Sequence, residues 1–577
     1  MTFVLHGIGI SPQVAIGKAR ILRSHCPSIA KQAITEAQIP QEIDRLNAAL
    51  QTAHDQLNQA RSSINLETSS ELAGFLDAHI LMLTGTTLSA TPIETIKNKS
   101  VSAEWALKSH CENLIQRFNT MQDPYLRSRK LDVEQVINRV LCILLGEEAS
   151  HNFESHNSHE IIVANDLTPA DTLLMHDSGI AAFVTESGGA LSHTAILAKN
   201  LGIPAVIGVQ NASQLISENS ELIIDGKTGS VLLNPCDRIL QYYQDVLQRN
   251  QQQQIQLNKL VNIPCKTQSG QLVQLHANVE TVDDIPNMIA SGADGVGLLR
   301  TEFLFMNRES LPSEEEHFEC YQAFIQALNG KPLTIRTLDL GADKTFHHQD
   351  NTSVSNPALG LRAVRLCLSD ANLFEPQIRA ILRASAFGPV RLMVPMFTTI
   401  QEIDSVIKII HGQMSKLQKK KIAFNERIHI GGMIETPAAV LCLEDFAKRL
   451  DFLSIGTNDL IQYTFAIDRV DESVNYLFNP GHPAILKLLK TIISTAKKHN
   501  ISVSLCGEMA GDIKYTRLLL GLGLTEFSMN PNSILTIKSQ INTTNDHTIK
   551  PMIERILEQA YPREIETLLE SMNCTEN

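Results

Sequence analysis

Thr185–Lys199, TESGGALSHTAILAK, sets one histidine between a pair of glycines and an apolar-periodic run. The preceding Ile180–Val184 reads as a short buried strand, so His193 falls where a strand turns into a helix. Ser192 is a suitable N-cap, and Thr194–Lys199 supplies the first turn and a half. Unpaired N–H groups and the positive end of the helix dipole at such a place suit a phosphate. Gly188 and Gly189 let the backbone approach that group with no Cβ in the way. The same residues would also serve as an ordinary glycine turn that happens to carry a histidine. The motifs farther along the chain decide between the two.

Outward from this segment, the apolar runs IIVAN, IAAFVTE, AVIGV, ELIID and SVLLN between Glu160 and Asn234 predict short strands of a compact mixed α/β domain. Asp225-Gly226 marks a hairpin turn between the last two. Residues 1–20, small and apolar around Gly7, Gly9 and Gly17, read as a first strand of the same domain. Between these pieces the period changes. Ile43, Leu46, Leu50, Ala53, Leu57 and Ala60 recur at helical spacing, and similar patterns run through 71–83, 102–120 and 132–145. This predicts an all-α insertion of about four helices over 21–146, leaving 1–20 and 147–234 for the mixed domain. A glutamine-rich segment within 235–260, QRNQQQQIQLNKL, reads as a helical connector.

From 261 to 577 the texture repeats. LHANV, GVGLLR, LTIRTL, RLMVPM, HIGGMIE, FLSIGT, VSLCGE and EFSMN alternate with helix-length segments, which predicts a C-terminal (β/α)8 barrel. Polar residues recur where these strands end: Arg300, Arg336, Glu435, Asn458, Asp459 and Cys506. In a barrel, all would open onto the one face where such folds keep their sites. Arg300, Arg336, Lys344 and Arg362 form a cationic set matched to a small polyanion, because guanidinium groups bind carboxylate and phosphate bidentately. The same arginines could instead pair with Glu302, Asp339 or Asp343. Glu435 and Asp459, read as ending successive strands, are a carboxylate pair that suits Mg²⁺ or, alternatively, acid–base work. Cys506 could be a buried filler or a proton donor.

Seven motifs in order resemble enzyme I of the bacterial phosphoenolpyruvate:sugar phosphotransferase system. GGALSHTAILAK resembles the family's phosphohistidine motif. GVGLLRTEFLFMNR, LTIRTLDLGADK, NPALGLRAVRL, MIETPAA, FLSIGTNDLIQYTFAIDR and LCGEMAGD resemble its phosphoenolpyruvate-site motifs. Pyruvate phosphate dikinase and phosphoenolpyruvate synthase share the barrel and the phosphohistidine, but they carry a large ATP-grasp domain. The first 150 residues here are helical, with no glycine-rich nucleotide loop.

The resemblance implies that His193 accepts the phosphoryl group of phosphoenolpyruvate and passes it to the carrier protein HPr, docked on the helical insertion. It implies that Arg300, Arg336 and Arg469 hold phosphate and carboxylate, with Lys344, Arg362 and Asn458 adding to the binding set. Mg²⁺ would sit on Glu435 and Asp459, Cys506 would protonate the enolate, and the barrel would form a homodimer. Transfer would require the histidine domain to swivel about the 150–160 and 235–260 connectors. One departure stands beside the histidine: Ala190 and Leu191 occupy positions where the family usually has a polar residue and often an arginine.

The totals agree with such an enzyme. A formal charge of −13 over 577 residues argues against a nucleic-acid or anionic-membrane surface. The ten cysteines show no paired spacing, as in a reduced, cytoplasmic protein. Neither a basic leader nor a membrane-length apolar run is present.

Overall fold

The computed structural model describes residues 2–11, 13–22, 29, 31–63, 70–85, 87–119, 130–146, 159–167, 172, 179–188, 194–195, 198, 202–305, 308, 310–340, 356, 358–468 and 474–574. The chain forms two compact units, Met1–Gln252 and Gln253–Asn577. The division falls inside one helix, Asp237–Asn258, which carries the glutamine-rich stretch.

The first unit contains an eight-stranded sheet built from β1 (Phe3–His6), β2 (Ile8–Gly9), β3 (Val14–Leu22), β4 (Glu160–Ala164), β5 (Ala182–Thr185), β6 (Ala205–Ile207), β7 (Glu221–Asp225) and β8 (Ser230–Leu233). Its order is β1-β8-β7-β3-β4-β5-β6-β2, with β3 to β6 parallel and the remaining pairs antiparallel. Residues 161–164, 182–184 and 205–207 are apolar and buried at every position because both faces are covered. Ile161, Val163, Val184 and Val206 pack on one side, and Ile162, Phe183, Ala205 and Ile207 on the other. The expected hairpin is present, with Asp225 opposite Ser230 and Asp225 Oδ1 accepting from the N–H groups of Lys227 and Thr228.

Residues 1–20 are not one strand but three. A Cβ at Gly7 would strike the Ile207 carbonyl, and one at Gly9 the Gly226 carbonyl. These close approaches break the run into β1 and β2, which pair with β8 and β6 at opposite edges of the sheet. Only Gly7 separates them, so the sheet curls until its edges are neighbours.

Five helices of the insertion are described: Ile39–Ser63, Ser70–Thr84, Thr87–Lys99, Ala103–Asn119 and Lys130–Leu144. Leu46, Leu50, Ala53 and Leu57 are buried along the first, as their spacing requires. Thr87–Lys99 has no counterpart in the sequence reading and carries a proline inside it. In the structure Pro92 takes a core-facing position between the buried Leu88 and Ile96.

The second unit is a closed barrel of eight parallel strands: β9 (Gln274–Val279), β10 (Gly295–Leu299), β11 (Leu333–Arg336), β12 (Val390–Val394), β13 (His429–Ile434), β14 (Phe452–Ile455), β15 (Ser502–Leu505) and β16 (Glu526–Met529). β16 closes onto β9 with Ser528 opposite His276. All eight lie on the apolar runs that predicted them. Leu298, Met393, Met433, Phe452 and Cys506 cluster apart from the main core that unites strands and outer helices. Among the described residues, no helix is long and apolar enough to cross a membrane.

Candidate active site

At the carboxyl ends of β10 and β11, charges of alternating sign form a chain. Arg336 Nη2 donates to Glu302 Oε1 at 2.9 Å, and its Nη1 lies 3.0 Å from Asp339 Oδ2. Asp339 Oδ1 accepts from Arg362 Nη2 at 2.8 Å. The Asp339 N–H donates to Glu302 Oε1 at 3.0 Å, closing the link. Burial alone would push the Asp339 carboxyl up, but the two guanidinium groups outweigh it and hold the carboxyl below its ordinary value. Glu302 moves the other way, raised by burial that Arg336 only partly offsets. The pairing of buried arginines with Glu302 and Asp339, left open by the sequence, is therefore present.

That pairing leaves donors over. Arg336 Nε and Arg362 Nε are buried without an acceptor, as are the hydroxyls of Thr337 and Thr457. Buried donors without partners cost free energy unless an acceptor arrives. Three of these groups, on Arg336, Thr337 and Thr457, lie at or just past strand ends, and the fourth, on Arg362, is tied to Arg336 through Asp339; together they suit a small anion with many oxygens.

The strand ends β13 and β14 carry the carboxylate pair. Glu435 follows β13 directly, and the next helix, Pro437–Leu441, begins there because Thr436 caps it and Pro437 occupies its first turn. The Glu435 side chain is buried, its Oε1 accepting from the Met396 N–H at 2.6 Å. Met396 itself has φ +64°, a left-handed backbone unusual for its type. Burial, then the negative charges of Asp459 and Asp339, raise the Glu435 carboxyl well above its ordinary range. Asp459 is not a strand residue, as the sequence reading had it: it lies in the first turn of the helix Thr457–Phe465 that follows β14. Tyr463, one turn on, donates to the Ala358 carbonyl at 2.5 Å and accepts from Arg362 Nη1 at 3.4 Å.

Two carboxylates near enough for the charge of Asp459 to raise the Glu435 carboxyl fit a divalent metal. Among the described residues no three His, Cys, Asp or Glu side chains form a metal cluster. Two carboxylates would then need substrate oxygens and water to complete the shell, a habit of Mg²⁺ rather than of a closed protein cage.

Other expected site residues fall around this centre. Cys506, after β15, is buried, and burial raises its thiol against the lowering effect of the Ser454 hydroxyl. Asn458 donates to Glu508 Oε1 at 3.1 Å, and the Glu508 N–H returns a bond to Asn458 Oδ1. Arg300, half-exposed, pairs with Glu280 at 2.7 Å. Lys344, Arg469 and His193 lie outside the described residues, with Gly189, Ala190, Leu191 and Ser192. Near His193, Gly188 has φ +106°, and the buried Thr194 hydroxyl donates to the Leu167 carbonyl at 2.7 Å.

Sequence reasoning overlooked Tyr463, Ser454 and Gln377. Tyr463 was legible as the residue one helical turn from Asp459, and Ser454 as the inward partner of Phe452 in a period of two. Gln377 had no such signal. From the helix Ala371–Ala384 it donates to Thr301 Oγ1 and Tyr321 OH and accepts from the Leu338 N–H, clamping the ends of β10 and β11.

The chain matches three family models in succession: PEP-utilising enzyme, N-terminal, over residues 6–129; the mobile domain over 156–229; and the PEP-binding domain over 254–546. It is 42% identical to a phosphoenolpyruvate-protein phosphotransferase of Cupriavidus necator over 576 residues, with 98% of each chain covered. The chain belongs to the phosphoenolpyruvate-protein phosphotransferase family. Enzymes of that name from Staphylococcus carnosus and Listeria monocytogenes are 39% and 38% identical, again with 98% of each chain covered. A phosphoenolpyruvate-protein phosphotransferase is an enzyme of phosphoenolpyruvate-dependent phosphoryl transfer in the phosphotransferase system. The residues matched by the PEP-binding model include the arginine–carboxylate chain, the Glu435–Asp459 pair and Cys506.

Proposed function

We propose that phosphoenolpyruvate binds at the carboxyl ends of the barrel strands, that His193 takes its phosphoryl group, and that HPr receives it next. The arginine–carboxylate chain with its spare donors, beside the Glu435–Asp459 carboxylate pair, carries this reading. Arg336 and Arg362 are held in place by Glu302 and Asp339, so their remaining N–H groups are preorganised for substrate oxygens. Arg300, Lys344, Arg469 and Asn458 complete the binding set. Arg300 and Asn458 would exchange Glu280 and Glu508 for substrate.

Family members depend on a divalent metal, and we assign Mg²⁺ to Glu435 and Asp459. Bound there, it would offset the two carboxylates and stabilise negative charge on substrate oxygens. The chemistry of the chain's own residues follows. The lone pair of His193 Nε2 forms the N–P bond while the bond from phosphorus to the enol oxygen breaks. Arginine charge steadies the enolate. Its electron pair takes the proton of the Cys506 thiol at the methylene carbon, the C2–O bond becomes a carbonyl, and pyruvate leaves. Water returns a proton to the sulfur.

The helical insertion is the docking surface for HPr in this reading. The enzyme works in the cytoplasm as a homodimer formed through the barrel. The test is labelling with ³²P-phosphoenolpyruvate and Mg²⁺. The expected result is acid-labile label on the wild type, chased by purified HPr and absent from His193→Ala. Label persisting on His193→Ala would move the acceptor elsewhere, and label that HPr cannot remove would exclude HPr as the next carrier.

A further inference from the structure

Beneath the proposed proton donor lies a line of hydroxyls that the reaction as described leaves unused. Ser504 Oγ donates to Ser454 Oγ at 3.2 Å, and Ser454 Oγ donates to Cys506 Sγ at 3.3 Å. The thiol in turn faces the Ile455 carbonyl at 3.5 Å. All three side chains are buried. Ser454 lies on β14, Ser504 on β15 and Cys506 just beyond β15, and the register of these parallel neighbours places Ser454 opposite Ser504. The Asn278 side chain of β9, two strands round the barrel, holds the same turn, its Nδ2 donating to the Cys506 carbonyl at 3.0 Å, while Ser528 donates to Asn278 Oδ1. Sulfur here both accepts a hydrogen bond and points its own hydrogen at a fixed carbonyl.

We infer that Ser454, backed by Ser504, is a positioning residue that aims the Cys506 thiol and stabilises the thiolate left when its proton is delivered to the enolate carbon. The inference rests on Cys506 being that donor. A thiol deep in a barrel is a poor acid, because its conjugate base has lost water. One hydroxyl donated to the sulfur opposes that loss, since a hydrogen bond to a charged acceptor is about twice as strong as one to a neutral group. The donation from Ser504 polarises the Ser454 hydroxyl and strengthens the second bond. The proton inventory is simple: S–H breaks, C–H forms, sulfur keeps the electron pair, and the Ser454 hydrogen remains on its own oxygen. Other charges reach the sulfur as well. Glu435 raises the thiol, while Arg336 and Arg300 lower it. None of these donates to it in the structure.

The test compares full-length wild type with Ser454→Ala, Ser504→Ala and Cys506→Ala. Alkylation of Cys506 by iodoacetamide, read peptide by peptide in a mass spectrometer against pH, gives the thiol midpoint. Steady-state pyruvate formation gives kcat and KM. Ser454→Ala should move the midpoint up by about one pH unit, the effect of losing one hydrogen bond to a charged group. It should lower kcat roughly tenfold and leave the phosphoenolpyruvate KM unchanged. Ser504→Ala should shift both in the same direction by less. An unchanged midpoint in Ser454→Ala, with Cys506→Ala inactive in pyruvate formation, would overturn the role of Ser454 and leave Cys506 as donor. Full pyruvate formation by Cys506→Ala would overturn both. Should Ser454→Ala fail to fold, Ser504→Ala decides the matter, and an unmoved midpoint there overturns the proposal.

Discussion

Gly456 passes so close to Glu435 that a Cβ on it would stand 2.7 Å from Glu435 Oε2. The turn out of β14 is thus a wall of the pocket that holds the carboxylate, and it can be that wall only as glycine. Gly456→Ala should displace the Glu435 carboxyl, with the barrel intact and turnover reduced by at least about tenfold, the penalty of a small displacement of a reacting group. Pyruvate production and far-ultraviolet circular dichroism, measured on the same sample, check it.

Replacing the carboxylate while keeping its shape separates charge from packing. Glu435→Gln retains an oxygen for the Met396 N–H but halves the proposed ion site. Mn²⁺ binding followed by electron paramagnetic resonance should weaken by at least about tenfold, with the unfolding midpoint unchanged or raised, since a buried charge has been removed. Undiminished Mn²⁺ affinity would place the ion elsewhere.

Asp339 serves two guanidinium groups, and its loss leaves both under-compensated. Asp339→Asn should destabilise the enzyme by about 3 kcal/mol, the lower end of the range for breaking a buried ion pair, because Glu302 still holds Arg336. Denaturant titration gives the stability. The phosphoenolpyruvate KM, expected to rise, shows whether the arginines have also lost their aim.

Gln377 makes a purely structural prediction. Replacing it by leucine removes the acceptor of the Leu338 N–H and the donor to Thr301 and Tyr321, all buried. A loss of about 2 kcal/mol is expected from the orphaned groups, with a smaller change in turnover. Denaturant unfolding measures the first and steady-state kinetics the second.

His317 predicts the acid side of the stability profile. It packs against Phe305 and Tyr321, with Nδ1 3.2 Å from the Tyr321 hydroxyl. Burial lowers its pKa from 6.5 to about 4, partly resisted by Glu316. Between those values the unfolded chain binds more protons than the folded one, so stability rises with pH and the contribution is complete above 6.5. The full span is about 3 kcal/mol. His317→Asn, which keeps an oxygen near the Nδ1 position, should flatten this limb, and thermal unfolding across acid pH values would show it. An unchanged slope would assign the acid sensitivity to other groups.

Much of this architecture is written locally. Strands covered on both faces are dominated by apolar residues, so GVGLL of β10 and the other seven barrel runs are visible without any knowledge of their neighbours. Leu46, Leu50, Ala53 and Leu57 betray their helix in the same way. Local reasoning fails where a residue's role is set by something distant. The helix Thr87–Lys99, with Pro92 inside it, shows itself only when Leu88 and Ile96 are seen buried. The amino-terminal run reads as one strand until Gly7 and Gly9 are seen pressed against carbonyls from residues 207 and 226.

The chemistry divides along the same line. Periodicity and residue type were enough to name the barrel and to bring its strand-end arginines, carboxylates and thiol forward as candidates, because both are properties of short segments. Which carboxylate each arginine takes, that Asp459 stands on a helix, and that a serine hydroxyl meets the Cys506 sulfur came only with barrel closure. Arg336 and Glu302 are 34 residues apart, and Glu435 and Met396 are 39 apart. Hydrogen bonds act over about 3 Å, so partners so distant in the chain become partners only when the folded backbone carries them together.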